Sequence, residues 1–178
     1  MRDFRIISTD RLTEDQQKQI EHILRECDQE FVPPISERTS TSQTDWSMEE
    51  KERGVAIYLK QLIKQHMLLA VQEEKVAGFL SYQDSFNCPI LKEFPNCCYL
   101  TTLCVGHDSR GAGLSKLLYA RAVNEIAERF PGAAVTLRTW STNKAQLHIL
   151  KELGFSCQTL LKDDRGEGVD TVYYVLSR

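Results

Sequence analysis

Ile20, Ile23, Leu24 and Cys27 recur at the three- and four-residue spacing that lines one face of a helix. Thr13 followed by Gln16 places a capping box at its start. Ahead of it, Arg5 to Ser8 reads as a short strand. A second apolar stripe, Val55, Leu59, Leu62, Ile63 and His66, predicts another helix, with Ser47 as its cap. Met67 to Val71 and Val76 to Tyr82 are apolar runs around Glu73-Glu74-Lys75, the pattern of a hairpin. Cys97 to Val105 reads as a strand with Tyr99, Thr101, Leu103 and Val105 on one face. Leu114, Leu118, Ala122, Ile126 and Phe130 repeat every fourth residue along a helix from about Gly113 to Arg129, which Pro131-Gly132 ends. Then come a strand (Ala134 to Trp140), a helix (Lys144 to Leu153, stopped by Gly154) and a closing hairpin. Its arms are Phe155 to Leu161 and Val169 to Leu176.

The predicted order is therefore β α α β β β α β α β β. Strands that flank a helix in this pattern are parallel neighbours, and strands joined by tight turns are antiparallel. The expected fold class is α/β (α+β), a mixed central sheet of seven strands with four helices. With 178 residues and no linker between two cores, one domain over 1–178 is expected. The segment Pro33 to Ser47 stands apart, rich in Pro, Ser and Thr, and reads as a long loop.

Composition narrows the function classes. A net charge of -3 lacks the broad basic footprint of a nucleic-acid binder. No apolar run approaches the ~18 residues of a spanning helix, so no membrane partner is expected. The N-terminus lacks the apolar core of a secretory signal, so the expected location is cytoplasmic. Cys27, Cys88, Cys97, Cys98, Cys104 and Cys157 include no CxxC pair. They read as reduced, mostly buried thiols, and no metal site is expected.

The chemistry concentrates in one stretch. A strand ending Leu103-Cys104-Val105 runs through Gly106-His107-Asp108-Ser109 into Arg110-Gly111-Ala112-Gly113-Leu114-Ser115 and then a helix. Such a turn aims successive backbone N–H groups at one spot, backed by a helix N-terminus, and suits a phosphate. Arg110 and Lys116 would add charge. The loop is not a P-loop, because no GK[ST] follows at the required spacing. Nor is it a dinucleotide fingerprint, because the third glycine of GxGxxG is missing. The plainer reading is a glycine-rich helix cap with no ligand.

Arg110-Gly111-Ala112-Gly113-Leu114-Ser115 resembles the R/Q-x-x-G-x-G/A motif of the GCN5-related N-acetyltransferase (GNAT) superfamily. Leu103-Cys104-Val105 resembles the end of that family's fourth strand. Asn143-Lys144-Ala145 through Lys151-Glu152-Leu153-Gly154-Phe155 resembles its "N…LGF" helix and strand start. The motifs cover about Tyr99 to Phe155. The resemblance implies a seven-stranded sheet in which parallel strands 4 and 5 splay apart. It implies acetyl-CoA as cosubstrate, lying in that gap. The backbone of Leu103, Cys104 and Val105 would hold the pantetheine arm. N–H groups of Arg110, Gly111, Ala112, Gly113, Leu114 and Ser115 would hold the pyrophosphate, and Asn143 would contact the arm from the other side. A primary amine, on a small molecule or a peptide, would attack the thioester directly. The resemblance is also compatible with a homodimer, since relatives pair through sheet edges or helices.

Two positions depart from the family pattern. Ser115 replaces the usual Gly or Ala, a small change whose hydroxyl suits a phosphate. Leu150 stands where many members carry a tyrosine that protonates the departing thiolate, and leucine donates no proton. Tyr99 and His148 are the candidates for that proton; the plainer readings are a half-buried strand aromatic and a surface histidine. His107 reads as lining solvent or phosphate. Tyr173 and Tyr174 lie in the last strand, one on each side. Acidic residues in the expected acceptor loops (Glu30, Glu37, Asp45, Asp163, Asp164, Glu167, Asp170) would attract a cationic amine, with Phe31 and Trp46 as apolar walls. Leu150 also motivates a rival, a non-catalytic acyl-CoA-binding or regulatory protein on the same scaffold. A third reading is an interaction module whose glycine loop is only a cap.

Substituting Gly113 by valine is expected to abolish acetyl-CoA binding while the fold survives. A binding titration of the folded variant checks this, and normal affinity would move the phosphate site elsewhere.

Overall fold

Thr13 caps the first helix as its spacing implied. Its side chain accepts from the Gln16 N–H, and the Gln16 side chain accepts from the Thr13 N–H in return. The structure, a computed structural model, describes residues 3–38 and 54–177. In chain order it contains β1 (Arg5–Thr9), α1 (Glu14–Cys27), α2 (Val55–Leu62), β2 (His66–Gln72), β3 (Lys75–Phe86) and β4 (Cys97–Val105). There follow α3 (Leu114–Arg129), β5 (Val135–Trp140), α4 (Lys144–Glu152), β6 (Ser156–Leu161) and β7 (Thr171–Leu176). The strands form one sheet in the order β1-β2-β3-β4-β5-β7-β6. The mixed class, the strand count and the parallel β4–β5 neighbours are as expected. Ser47, expected to cap α2, lies outside the described residues. His66 opens β2 instead of ending the α2 stripe.

Contacts group the chain into two compact units. The first comprises Met1–Ser81 with Thr102–Leu118. Here β1 and β2 pair antiparallel, from Arg5 against Val71 to Thr9 against Met67. Ile20, Ile23, Leu24 and Cys27 of α1 join Tyr58 and Leu62 of α2, Met67, Leu69 and Val71 of β2, and Cys104 of β4 in one apolar cluster. A buried polar pair stands beside it: the Tyr58 and Thr102 hydroxyls lie 2.7 Å apart. That contact satisfies two groups whose burial without partners would cost ~1–3 kcal/mol each.

The second unit comprises Tyr82–Thr101 with Tyr119–Arg178. Cys98 to Leu100 run parallel to Val135 to Leu137, and β7 pairs antiparallel with both β5 and β6. The closing hairpin therefore enters the sheet by its second arm, which the local pattern did not reveal. Buried Glu125 accepts from the Tyr82 hydroxyl at 2.8 Å and from Arg129 at 3.3 Å. Burial, followed by the Glu125 carboxylate, holds the Tyr82 phenol far above its ordinary value, so it stays a donor.

The simple alternation expected along β4 does not hold. The Cys98 N–H bonds the Ala134 carbonyl just ahead of β5, yet Gly106, eight residues on, sends its N–H to Ala77 of β3. Strict two-residue alternation would send both the same way, so the pleat slips by one residue between them.

Gly78 shows how closely β3 and β4 approach. A Cβ there would stand 2.9 Å from the Cys104 carbonyl oxygen and 3.2 Å from the Val105 Cα. Both are main-chain atoms that cannot rotate away. Gly78→Ala is therefore expected to destabilise the protein by ~1–3 kcal/mol, the usual cost of overpacking. Thermal unfolding checks it, and an unchanged midpoint would show that β3 yields.

Candidate active site

The phosphate-loop candidate lies wholly in the first unit. Because the Gly106 N–H donates to Ala77, the Val105 carbonyl of the same planar peptide points the opposite way. There it accepts from Arg110 Nε at 3.2 Å. His107 to Ser109 form one short 3-10 turn, closed when Ser109 N–H bonds Gly106 and Arg110 N–H bonds His107. Arg110's own N–H is thus engaged, and the open series begins one residue later than expected. Among the described residues, the N–H groups of Gly111, Ala112, Gly113, Leu114 and Ser115 have no hydrogen-bond acceptor. This is what a turn running into a helix N-terminus leaves behind. Gly111 and Gly113 have φ of +74° and +76°, a region side chains rarely adopt. A Cβ at either would meet no protein atom within 4 Å. Backbone conformation therefore requires glycine there, and the space above the loop is open.

Arg110's guanidinium is directed away from that space. Nη1 bonds Glu30 at 2.7 Å and Nη2 donates to Cys27 Sγ at 3.4 Å, while Nε holds Val105. His107 Nε2 reaches the same Glu30 oxygen at 3.1 Å. Burial opposes charge on Glu30, but the hydrogen bonds from Arg110 and His107 prevail and hold its carboxyl below the ordinary range. Arg110 stays fully charged, since Glu30 outweighs the burial that disfavours it. The arginine's side chain thus anchors the loop to the end of α1. Glu30 is an anchor as well as one of the expected acceptor-loop acids. Cys27 and Glu30 were not foreseen as partners; no local pattern links residues 80 or more positions apart.

Of the remaining cofactor candidates in this unit, Cys104 turns its side chain into the apolar cluster and Leu103 is half-buried. Their contribution to a ligand is limited to the backbone, as expected of strand residues.

The second unit holds the other candidates. Tyr99 is buried, with its ring 4.5 Å from that of Phe86. Burial drives its phenol far above the ordinary value, so the hydroxyl remains protonated. Tyr173 is fully buried, its hydroxyl without a hydrogen bond of good geometry, and Tyr174 is half-buried. His148 stands on the solvent side of α4, its side chain 73% exposed and 3.7 Å from Glu152. Leu150 is fully buried in the core. Asn143 is the N-cap of α4: its Oδ1 accepts from the Gln146 N–H at 3.3 Å and its Nδ2 donates to the Gln146 side chain at 2.8 Å. Gln146 in turn bonds the Tyr119 and Thr139 hydroxyls. In the closing hairpin, Asp163 accepts from Gly168 N–H at 2.7 Å and Asp170 accepts from Asp163 N–H at 2.9 Å. Asp164 accepts from the Thr171 hydroxyl. These acids shape the turn. Asp45 and Trp46 lie outside the described residues. No group of three or more His, Cys, Asp or Glu side chains among the described residues is arranged to hold a metal ion.

A strand that ends in an open N–H turn at a helix start can hold a phosphate group, and the comparisons identify the family. The model of the acetyltransferase (GNAT) family matches residues 18–155. The chain belongs to the GNAT family. No curated protein matches its sequence. Among solved structures it resembles a proposed acetyltransferase from Salmonella typhimurium, solved with its cofactor acetyl-CoA. The identity is 16% and the TM-score 0.65, with 98% of this chain and 94% of that chain covered. It also resembles a ribosomal-protein-alanine N-acetyltransferase from Brucella melitensis (17% identity, TM-score 0.66, 97% and 99% covered). A third similar structure is Arabidopsis thaliana NAA60 with a bisubstrate analogue (16% identity, TM-score 0.68, 97% and 98% covered). At these identities the likeness establishes the fold.

Asn143→Ala is expected to lower stability by ~1 kcal/mol with no ligand present, because the α4 cap is lost. Chemical denaturation of the ligand-free variant checks it. Unchanged stability would leave Asn143 free for ligand contact alone.

Proposed function

We propose that this chain is an acetyl-CoA-dependent N-acetyltransferase that moves an acetyl group to a primary amine by direct attack. The observation that carries this reading is the run of N–H groups from Gly111 to Ser115, at the start of α3, that have no acceptor among the described residues. A pyrophosphate would satisfy them and gain from the helix N-terminus. The backbone of Leu103, Cys104 and Val105 would hold the pantetheine arm. Arg110 would keep the loop in shape through its grip on Val105 and Glu30. Asn143 would contact the arm from α4 while retaining its cap. Binding in this manner supplies orientation, which is worth several kcal/mol of the barrier.

The chemical step needs a neutral amine, a polarised thioester carbonyl and a proton for the departing thiolate. The amine lone pair forms the new C–N bond, the C–S bond breaks, the nitrogen gives up one proton to water, and the sulfur takes one. Tyr99, whose buried phenol stays protonated, is the first candidate for that donation. His148, exposed on α4, is the second candidate and would act as a relay with solvent. The acceptor is a small-molecule or peptide amine, and acetyl-CoA is the only cosubstrate invoked.

One observation favours a second reading. Leu150 stands where many family members carry a tyrosine and donates no proton, which suits a protein that binds acyl-CoA without turning it over. Release of free CoA in the presence of amines separates the two.

The first test is thermal unfolding with acetyl-CoA, with CoA and ATP as controls. Acetyl-CoA at ~100 times its dissociation constant is expected to add ~2.7 kcal/mol, a rise of several degrees. CoA should act similarly and ATP should not. No shift at millimolar acetyl-CoA would overturn the assignment and return the glycine turn to a helix cap.

A further inference from the structure

One face of the sheet in the second unit gathers hydrogen-bond donors and lacks an acceptor for one of them. Side chains alternate along a strand, so Thr136, Arg138 and Trp140 of β5 share that face. The register sets their neighbours on it. Tyr99 of β4 stands beside Thr136, Tyr173 of β7 beside Arg138, and Thr171 beside Trp140. The opposite face belongs to the helices: Thr139 bonds Gln146 of α4, which also bonds Tyr119 of α3.

Arg138 is half-buried. Arg165, from the turn between β6 and β7, gives its Nε to the Thr171 hydroxyl at 2.8 Å and lies over the Trp140 ring, 5.5 Å from its centroid. Tyr173 is fully buried, and among the described residues its hydroxyl has no hydrogen bond of good geometry. Burial raises its phenol above the ordinary value against the opposing charge of Arg138, so the hydroxyl keeps its proton. A guanidinium only donates, so Arg138 does not supply the missing acceptor. The acids of the neighbouring turn accept elsewhere: Asp164 from Thr171, Asp163 from the Gly168 N–H and Asp170 from the Asp163 N–H. Two guanidinium groups over successive cross-strand pairs repel each other, and an anion between them relieves it.

We propose that Arg138, Arg165 and the Tyr173 hydroxyl form a subsite for a carboxylate, and that the acceptor is therefore a small amine of the amino-acid type.

Such a subsite presupposes the acetyl transfer proposed above and names its substrate class. A guanidinium carries five N–H donors in a planar fork, so a carboxylate adds to whatever contacts it makes within the protein. One carboxylate oxygen suits the fork and the other the phenol. The position matches the chemistry. Tyr99, the first candidate donor to the thiolate, lies on the same face, one strand over and one residue pair back, ~7 Å along the strand. An amine and a carboxylate on one carbon, with a hydrogen bond at each end, span that distance. The amine of a peptide N-terminus carries no carboxylate so close.

The test sets each standard amino acid against the amine left when its carboxylate is removed. Release of free CoA from acetyl-CoA is measured for both members, and so is the melting temperature with and without acetyl-CoA. The expected result is a preference for the carboxylate-bearing member in at least one pair. Arg138→Gln is expected to cut that preference about tenfold or more, the cost of losing a charge-assisted hydrogen bond. Tyr173→Phe is expected to cut it several-fold, while the melting temperature without ligand holds or rises, because a buried hydroxyl without a partner is removed. This second variant carries the test if Arg138→Gln does not fold. Equal or better use of the members without a carboxylate would overturn the subsite and leave acetyl transfer standing. So would a preference that survives both substitutions. Absence of any acetyl-CoA effect would overturn acetyl transfer instead, and the melting shift with the amino acids alone then decides the subsite: no shift overturns it, and a shift lost in the variants supports it.

Discussion

Arg110 grips three parts of the chain at once. Its guanidinium holds the last carbonyl of β4, the carboxylate of Glu30 just past α1, and the sulfur of Cys27 at the end of α1. The carbonyl is available only because the Gly106 N–H has been committed to β3, which turns the rest of that peptide outward. With the arginine so occupied, the segment from Gly111 to Ser115 is anchored at its start while its own N–H groups stay open. A flexible glycine turn would otherwise lose conformational entropy whenever a ligand ordered it. Holding it from below leaves less to be ordered on binding.

Contacts in the second unit are arranged differently. There the polar groups satisfy one another in closed chains. Tyr82, Glu125 and Arg129 form one, and Tyr119, Gln146, Thr139 and Asn143 form another. Buried polar groups in such chains add rigidity because each would be costly if left alone. Tyr99 lies outside these chains, against Phe86, and keeps its proton through burial. Asn143 shows the opposite case: it is part of the scaffold first, and any contact with a ligand has to coexist with its cap.

Local physics made much of this legible from the chain. The capping box at Thr13, the apolar face of α1 and the four-residue repeat of α3 fall within one or two residues of expectation. Each depends on neighbours three or four positions apart. The glycine turn was equally plain, because only glycine readily takes the left-handed conformation found at Gly111 and Gly113. The slip in β4 was not legible. It depends on which neighbouring strand receives each N–H, and the alternating pattern of one strand carries no such information.

By itself, the sequence determined the elements, their order, the fold class and the motif that marks the family, since these follow from short-range periodicity, capping and turn chemistry. The tertiary structure decided which distant groups meet. It brought Arg110 onto Cys27 and Glu30 across 83 and 80 positions and placed β7 between β5 and β6. Such pairings depend on how whole faces pack, and burial then sets the protonation of the groups it encloses. Neither quantity exists until the chain has folded.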